Sequence, residues 1–242
     1  MPRRRSRGLA AYVQRTNLLT SLLLVFPLYL FYQVAVALVP GVGNGADVLT
    51  AALLTLAGHS RTHYLLLHLG LGVAFLVVVL VLRSRQEFQL RLFVPVIVES
   101  TLYALCMGSL ILWGMQALGI PPTLAAAKAE PAAGPLGALV MSVGAGCHEE
   151  LVFRLLLLPA LFGLLGPLLG LPRWLAWALA FFVSAALFSA AHHVIGGEPW
   201  RSGVFVYRLG CGLFFAALFH FRGFAVAVYT HTLYDVWVMV LA

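Results

Sequence analysis

Seven apolar runs, 18–39, 64–82, 93–118, 136–165, 173–195, 203–221 and 223–242, dominate this sequence. Each approaches or exceeds the roughly 20 residues that a helix needs to cross the hydrocarbon core of a bilayer. A chain built this way spends nearly all of its length crossing lipid. Its 242 residues are 62% hydrophobic and only 10% charged, where a soluble domain carries about a quarter charged residues. A cytosolic globular enzyme, a disordered chain and a nucleic-acid module are all excluded. The expected fold class is all-α: a polytopic membrane helical bundle with about seven to eight transmembrane helices. The stretch 47–58 is apolar but short, and reads as a re-entrant or interfacial helix, or an eighth span.

The net charge of +7 matters through its placement. Arg3, Arg4, Arg5, Arg7 and Arg15 precede the first run, and Arg83, Arg85 and Arg91 cluster in one later segment. Arginines beside a span mark the cytoplasmic side. Seven spans with the N-terminus inside put the 83–91 loop in the cytoplasm, whereas counting 47–58 as a full span would put it outside. Seven plus a partial element is the better fit. The basic balance thus speaks for topology and for contact with anionic headgroups. The run 18–39 is longer than the roughly 7–15 apolar residues of a signal peptide, so it reads as a retained first helix. Cys106, Cys147 and Cys211 are odd in number and lie in or beside apolar runs, which speaks for buried small hydrophobes and against a disulfide framework. Gly41, Gly43 and Gly45 lack the Lys-Ser/Thr ending of a phosphate loop. Four segments follow: a basic cytoplasmic stretch 1–17, an N-terminal transmembrane region 18–120, a Pro/Ala-rich loop 121–135, and a C-terminal transmembrane core 136–242.

The unusual chemistry collects in that core. Glu99, Glu149, Glu150 and Asp235 lie within apolar segments, and His148, His192, His193 and His231 lie within them or at their ends. An ionisable group at a helix centre costs about 2.5–3.5 kcal/mol even on the most lenient insertion scale, so several together require a polar network or a water-filled cavity. Glu150 and Arg154 stand at i, i+4 with the acid first, the favourable order for pairing. Neighbours on a helix point about 100° apart, which leaves Glu149 to face a cavity as a proton acceptor. Phe188 and His192 share a second face at i, i+4; of the adjacent pair His192 and His193, this spacing selects His192 as the inward one. His231 and Asp235 share a third. That pair could donate to a developing oxyanion or hold a metal; an ionised Asp235 only accepts, and would orient His231. Glu99 and Arg208 lie in other spans and are expected to pair with each other as a structural ion pair.

Glu149-Glu150 with Arg154, then Phe188 with His192, then His231 with Asp235, in this order on three spans, resemble the CPBP (Abi) family of intramembrane proteases, which includes the type II CAAX prenyl endopeptidases. The resemblance covers 136–242. The family shows Glu-Glu-x-x-x-Arg, Phe-x-x-x-His and His-x-x-x-Asn; Asp235 replaces the usual Asn, which points toward a bacterial branch. The resemblance implies peptide-bond hydrolysis by a glutamate-activated water, with Glu149 as general base, His192 holding the same water, His231 as oxyanion donor aided or oriented by Asp235, and Glu150, Arg154 and Phe188 in support. No cofactor is expected. His192, His231 and a carboxylate are also legitimate zinc ligands, so a zinc-dependent CAAX-type protease stays as an alternative.

A non-catalytic bacteriocin-immunity or scaffold protein and a proton-coupled transporter are the other readings. A transporter would string polar groups across the full depth of the membrane, whereas here they gather at three motifs. The expected partners are a membrane-anchored protein or peptide substrate and the lipid bilayer, with no nucleic acid. The usage of Leu, Ala, Gly and Arg with a single Lys suggests a GC-rich bacterial genome and hence a multi-pass protein of the inner (cytoplasmic) membrane. C-terminal processing or sorting of membrane-anchored proteins is the expected role, because the topology carries His192 toward the outer face.

Overall fold

A computed structural model describes residues 16–38, 48–121, 134–195 and 199–241. The basic N-terminal stretch through Arg15, the Pro40–Gly45 turn, Asp47 and residues 122–133 of the Pro/Ala-rich loop lie outside the described residues. Among the described residues every extended element is a helix. These are α1 (Leu18–Leu38), α2 (Val48–Leu56), α3 (Arg61–Arg83), α4 (Phe93–Ala117, led by a 3-10 turn at Leu90–Leu92), α5 (Gly134–Leu168), α6 (Arg173–Val194), α7 (Ser202–Phe221) and α8 (Phe224–Val236, continued by a π segment Trp237–Leu241). Six of them, all but α2 and α8, are long and apolar enough to cross a membrane, and α8 is a shorter apolar helix. The protein is a multi-pass helical membrane protein.

The segment expected to be a partial element is α2. Its 9 residues reach only about 14 Å at 1.5 Å per residue, too short to span. Gly58 and His59, at φ +59° and +55°, turn the chain out of α2. Ser60 then caps α3 by accepting from the His63 N–H. At the opposite end of α3, the loop toward α4 is tied to the start of α1. Asn17 Nδ2 donates to the Glu87 carbonyl at 2.9 Å, and the Leu19 N–H donates to Gln86 Oε1 at 2.9 Å. The start of α1 and the arginine-bearing loop thus share one end of the bundle, the arrangement that the charge pattern asks for.

The core forms around the shortest of the apolar helices. Nine consecutive residues of α8, Phe224 through Thr232, are buried, and the helix packs on α1, α4, α5 and α7. Small side chains permit this crowding. Ala225, Val226, Ala227 and Val228 let four neighbours approach closely, the usual device where lipid removes the hydrophobic drive for helix association. The α5–α8 contact is close: a Cβ on Gly146 would strike Thr232 Oγ1 and come within 3.0 Å of the Val228 carbonyl. The opposite case is α3. Its most apolar stretch is nowhere buried, and Leu66, Leu69, Val73 and Val77 stand outward toward lipid. None of the three cysteines is in a disulfide; Cys147 and Cys211 are buried as expected, whereas Cys106 is exposed on α4.

Overpacking a close helix crossing costs about 1–3 kcal/mol. Gly146→Val is therefore expected to lower the melting temperature in detergent. Gly163→Ala, whose Cβ would meet nothing within 4 Å, is expected to leave it unchanged. Light scattering during a thermal ramp measures both.

Candidate active site

The three motifs meet. Glu149 and Glu150 end the regular part of α5, and the helix passes straight into a π segment, Leu151–Leu157. π segments inside α-helices often accompany functional sites. Ser184 of α6 donates to the Phe153 carbonyl at 2.9 Å inside this segment, a second donor to an oxygen that also accepts the Leu158 N–H. The two carboxylates diverge as their spacing on the helix demands.

Glu149 faces both catalytic candidates on other helices. Its Oε2 lies 3.6 Å from His192 Nε2 on α6 and 3.9 Å from His231 Nε2 on α8. Such separations exceed a direct hydrogen bond and suit a bridging water. Glu149 is buried, while His192 and Asp235 are half-buried, so the cluster comes nearest the surface at those two residues. The His192 ring is set by its own helix: Nδ1 lies 2.9 Å from the Phe188 carbonyl, which accepts the N–H. A neutral ring held that way offers Nε2 as an acceptor. The Phe188 ring stands edge-on to it, with centroids 5.0 Å apart. The neighbouring His193 turns away, to the rings of Trp200 and Phe205.

Glu150 performs a second task besides the expected pairing. Its Oε1 is 3.1 Å from Arg154 Nη1, and both side chains are fully buried. The same oxygen accepts from His231 Nδ1 at 2.8 Å. Glu150 therefore orients the His231 ring, a contact that no local spacing could reveal because the two residues are 81 positions apart. Asp235 reaches the other ring nitrogen, with Oδ2 3.5 Å from His231 Nε2. Phe215 stacks on the His231 ring at 4.3 Å and 14°. Arg154 is held on its remaining sides: Nη2 donates to the Gly212 carbonyl at 3.2 Å, and the guanidinium lies 4.3 Å from the Phe188 centroid and 5.3 Å from that of Phe215. An arginine over aromatic faces gains cation–π attraction that is largest where water is absent.

The expected Glu99–Arg208 pairing is corrected. Glu99 pairs with Arg222, whose Nε and Nη2 donate to its two oxygens at 2.6 and 3.0 Å, and Tyr103 also donates to Glu99. Glu99 stands on α4 beside the turn between α7 and α8, and Arg222 lies in that turn. Among the described residues no group of three or more His, Cys, Asp and Glu side chains is arranged to hold a metal ion.

A multi-pass bundle with carboxylates and imidazoles gathered in its interior defines the class. Residues 131–237 match the model of the family described as type II CAAX prenyl endopeptidase Rce1-like. The match takes in Glu149, Glu150, Arg154, Phe188, His192, His231 and Asp235. No curated protein and no solved structure matches the chain.

Removing one member of a buried ion pair leaves the other charge uncompensated, at a cost of about 3–5 kcal/mol. Arg154→Met is expected to reduce strongly the fraction of protein that elutes folded on size exclusion. The double change Glu150→Leu with Arg154→Met is expected to recover part of that loss. Additive losses would contradict the pairing.

Proposed function

We propose that this protein is an intramembrane endopeptidase that hydrolyses a peptide bond near the membrane end of a protein substrate. The observation that carries this reading is the placement of Glu149 Oε2 within 3.6 Å of His192 Nε2 and 3.9 Å of His231 Nε2 in a buried setting. A water between Glu149 and His192 donates one hydrogen to the carboxylate and the other to Nε2, which leaves an oxygen lone pair for attack. Glu149 takes the proton as the water oxygen bonds to the scissile carbonyl carbon. The carbonyl oxygen becomes an oxyanion, and His231 Nε2 is the donor for it. Because Nδ1–H points to Glu150, this donation requires a ring carrying both protons. Preorganised donors of this kind are worth most where water is scarce. Collapse of the tetrahedral intermediate breaks the C–N bond, and Glu149 returns its proton to the leaving amine.

The family description names CAAX prenyl endopeptidases, so a prenylated C-terminal peptide is one substrate class. The other is a C-terminal sorting signal: a short motif, a spanning helix and a basic tail, cleaved at the outer face of a bacterial inner membrane. The sorting role is favoured by the half-buried His192 near the end of α6, on the side opposite the arginine-bearing loop in the seven-span topology.

The test is cleavage of a prenylated CAAX-box peptide and of a membrane-anchored sorting substrate by purified protein. Loss of general-base or water-holding groups typically lowers the rate by about 100-fold to 10,000-fold, so Glu149→Ala and His192→Ala are each expected to fall in that range while a chelator changes little. Zinc-reversible inhibition by the chelator would move the reading to a zinc-dependent protease. Cleavage that survives both substitutions would remove the assignment.

A further inference from the structure

A second buried polar chain ends one residue before Glu149. Tyr64 is the single side chain of α3 that is buried, and its hydroxyl donates to Oε1 of Gln33 on α1. That bond fixes the orientation of the amide, so Gln33 Nε2 is the donor toward His148 Nε2, 2.9 Å away. His148 must then carry its proton on Nδ1, which faces the Gly144 carbonyl at 3.2 Å. Tyr64, Gln33 and His148 are 2%, 5% and 2% exposed, so water does not compete for these bonds. The rings of Tyr32 and Tyr29 close on the imidazole at 4.9 and 5.6 Å. Tyr32 also fills the space where a side chain at Gly144 would go.

We propose that Gln33 and Tyr64 are positioning residues for the site: through His148 they lock the rotation of α5, and with it the direction in which Glu149 points. His148 and Glu149 are neighbours on one helix and therefore point about 100° apart. The α1–α3 side holds the first azimuth, and the α6–α8 side receives the second. Neither Gln33 nor Tyr64 lies within the 131–237 match, so the N-terminal spans supply part of the alignment of a site they do not line. A buried donor–acceptor chain of this kind is costly to break at any link. It is also directional, so one broken link frees the ring.

This inference rests on the reading of Glu149 as the water-activating base, and the experiment separates the two. Wild type, Gln33→Met, the milder Tyr64→Phe, and Glu149→Gln are purified with 15N-labelled histidine rings. Each is assayed on whichever of the two substrates, the prenylated CAAX-box peptide or the membrane-anchored sorting substrate, the wild type cleaves. Displacement of a reacting group by about 1 Å can cost about 100-fold in rate. Gln33→Met is expected to lower kcat between about tenfold and about a hundredfold, with KM within about twofold. Tyr64→Phe is expected to move kcat in the same direction by less. The ring-nitrogen resonances of His192 and His231 are expected to shift in both variants, although neither ring touches Gln33 or Tyr64. A merely structural role would lower the amount of folded enzyme and leave kcat per folded molecule and those resonances alone; that result overturns the proposal. Should Gln33→Met not fold, Tyr64→Phe decides by the same readings. Cleavage retained by Glu149→Gln would sink the protease mechanism instead, and the histidine resonances would still judge the positioning chain.

Discussion

Glu150 is a carboxylate with no exposed surface in a chain surrounded by lipid, and the rest of the site is arranged about the solution to that problem. One of its oxygens takes both the Arg154 guanidinium and the His231 N–H. Arg154 joins successive turns of α5 and reaches across to the α7 backbone, and His231 brings in α8. Three helices are thereby held in one relative rotation by charge-assisted hydrogen bonds, which are roughly twice as strong as neutral ones. Because Glu150 answers to the charge requirement, its neighbour Glu149 is left directed at His192 and His231. One residue type, twice in succession, thus serves two purposes by helical geometry alone.

The bundle supports this arrangement through the position of α8. A helix of alternating Ala and Val, packed on four neighbours, has little freedom to rotate; His231 extends from its buried part toward Glu149 and Glu150, and Asp235, one turn on and half-buried, approaches His231. Gly146, facing it on α5, permits close backbone approach one turn from the 2.8 Å contact between Glu150 and His231. Farther out, α3 has almost no buried surface and is joined to the interior chiefly through Tyr64. The Gln33–His148 contact is thus one of the polar links between the N-terminal helices and the C-terminal core, beside Tyr229 to the Leu24 carbonyl and Arg222 to Glu99.

Much of this was legible in the sequence because its signals are local. Run lengths located the helices to within a few residues, and the brevity of 47–58 separated α2 from them; six of the seven runs gave helices long enough to cross a membrane, while 223–242 gave the shorter α8. The i, i+4 rule placed Arg154 against Glu150 and Phe188 against His192, since both partners sit on one helix and periodicity alone decides the face. What could not be read is what depends on which helices meet. The Glu150–His231 bond, the Gln33–His148 bond and the choice of Arg222 over Arg208 for Glu99 all join residues far apart in the chain. Periodicity says that a face is polar but does not say what stands opposite. The π segment after Glu150 had no sequence marker either. His148 was visible as an ionisable residue beside the acidic pair, and its environment became clear only once α1 was seen to pack on α5.

The central claim is that one water is shared by Glu149 and His192. An experimental density map of the site, fine enough to separate solvent from metal, tests it most directly. The account predicts a single peak at hydrogen-bond distance, about 2.7–3.2 Å, from both Glu149 Oε2 and His192 Nε2. A peak at about 2.0–2.1 Å from nitrogen and carboxylate ligands, or the two side chains facing separate environments, would contradict it.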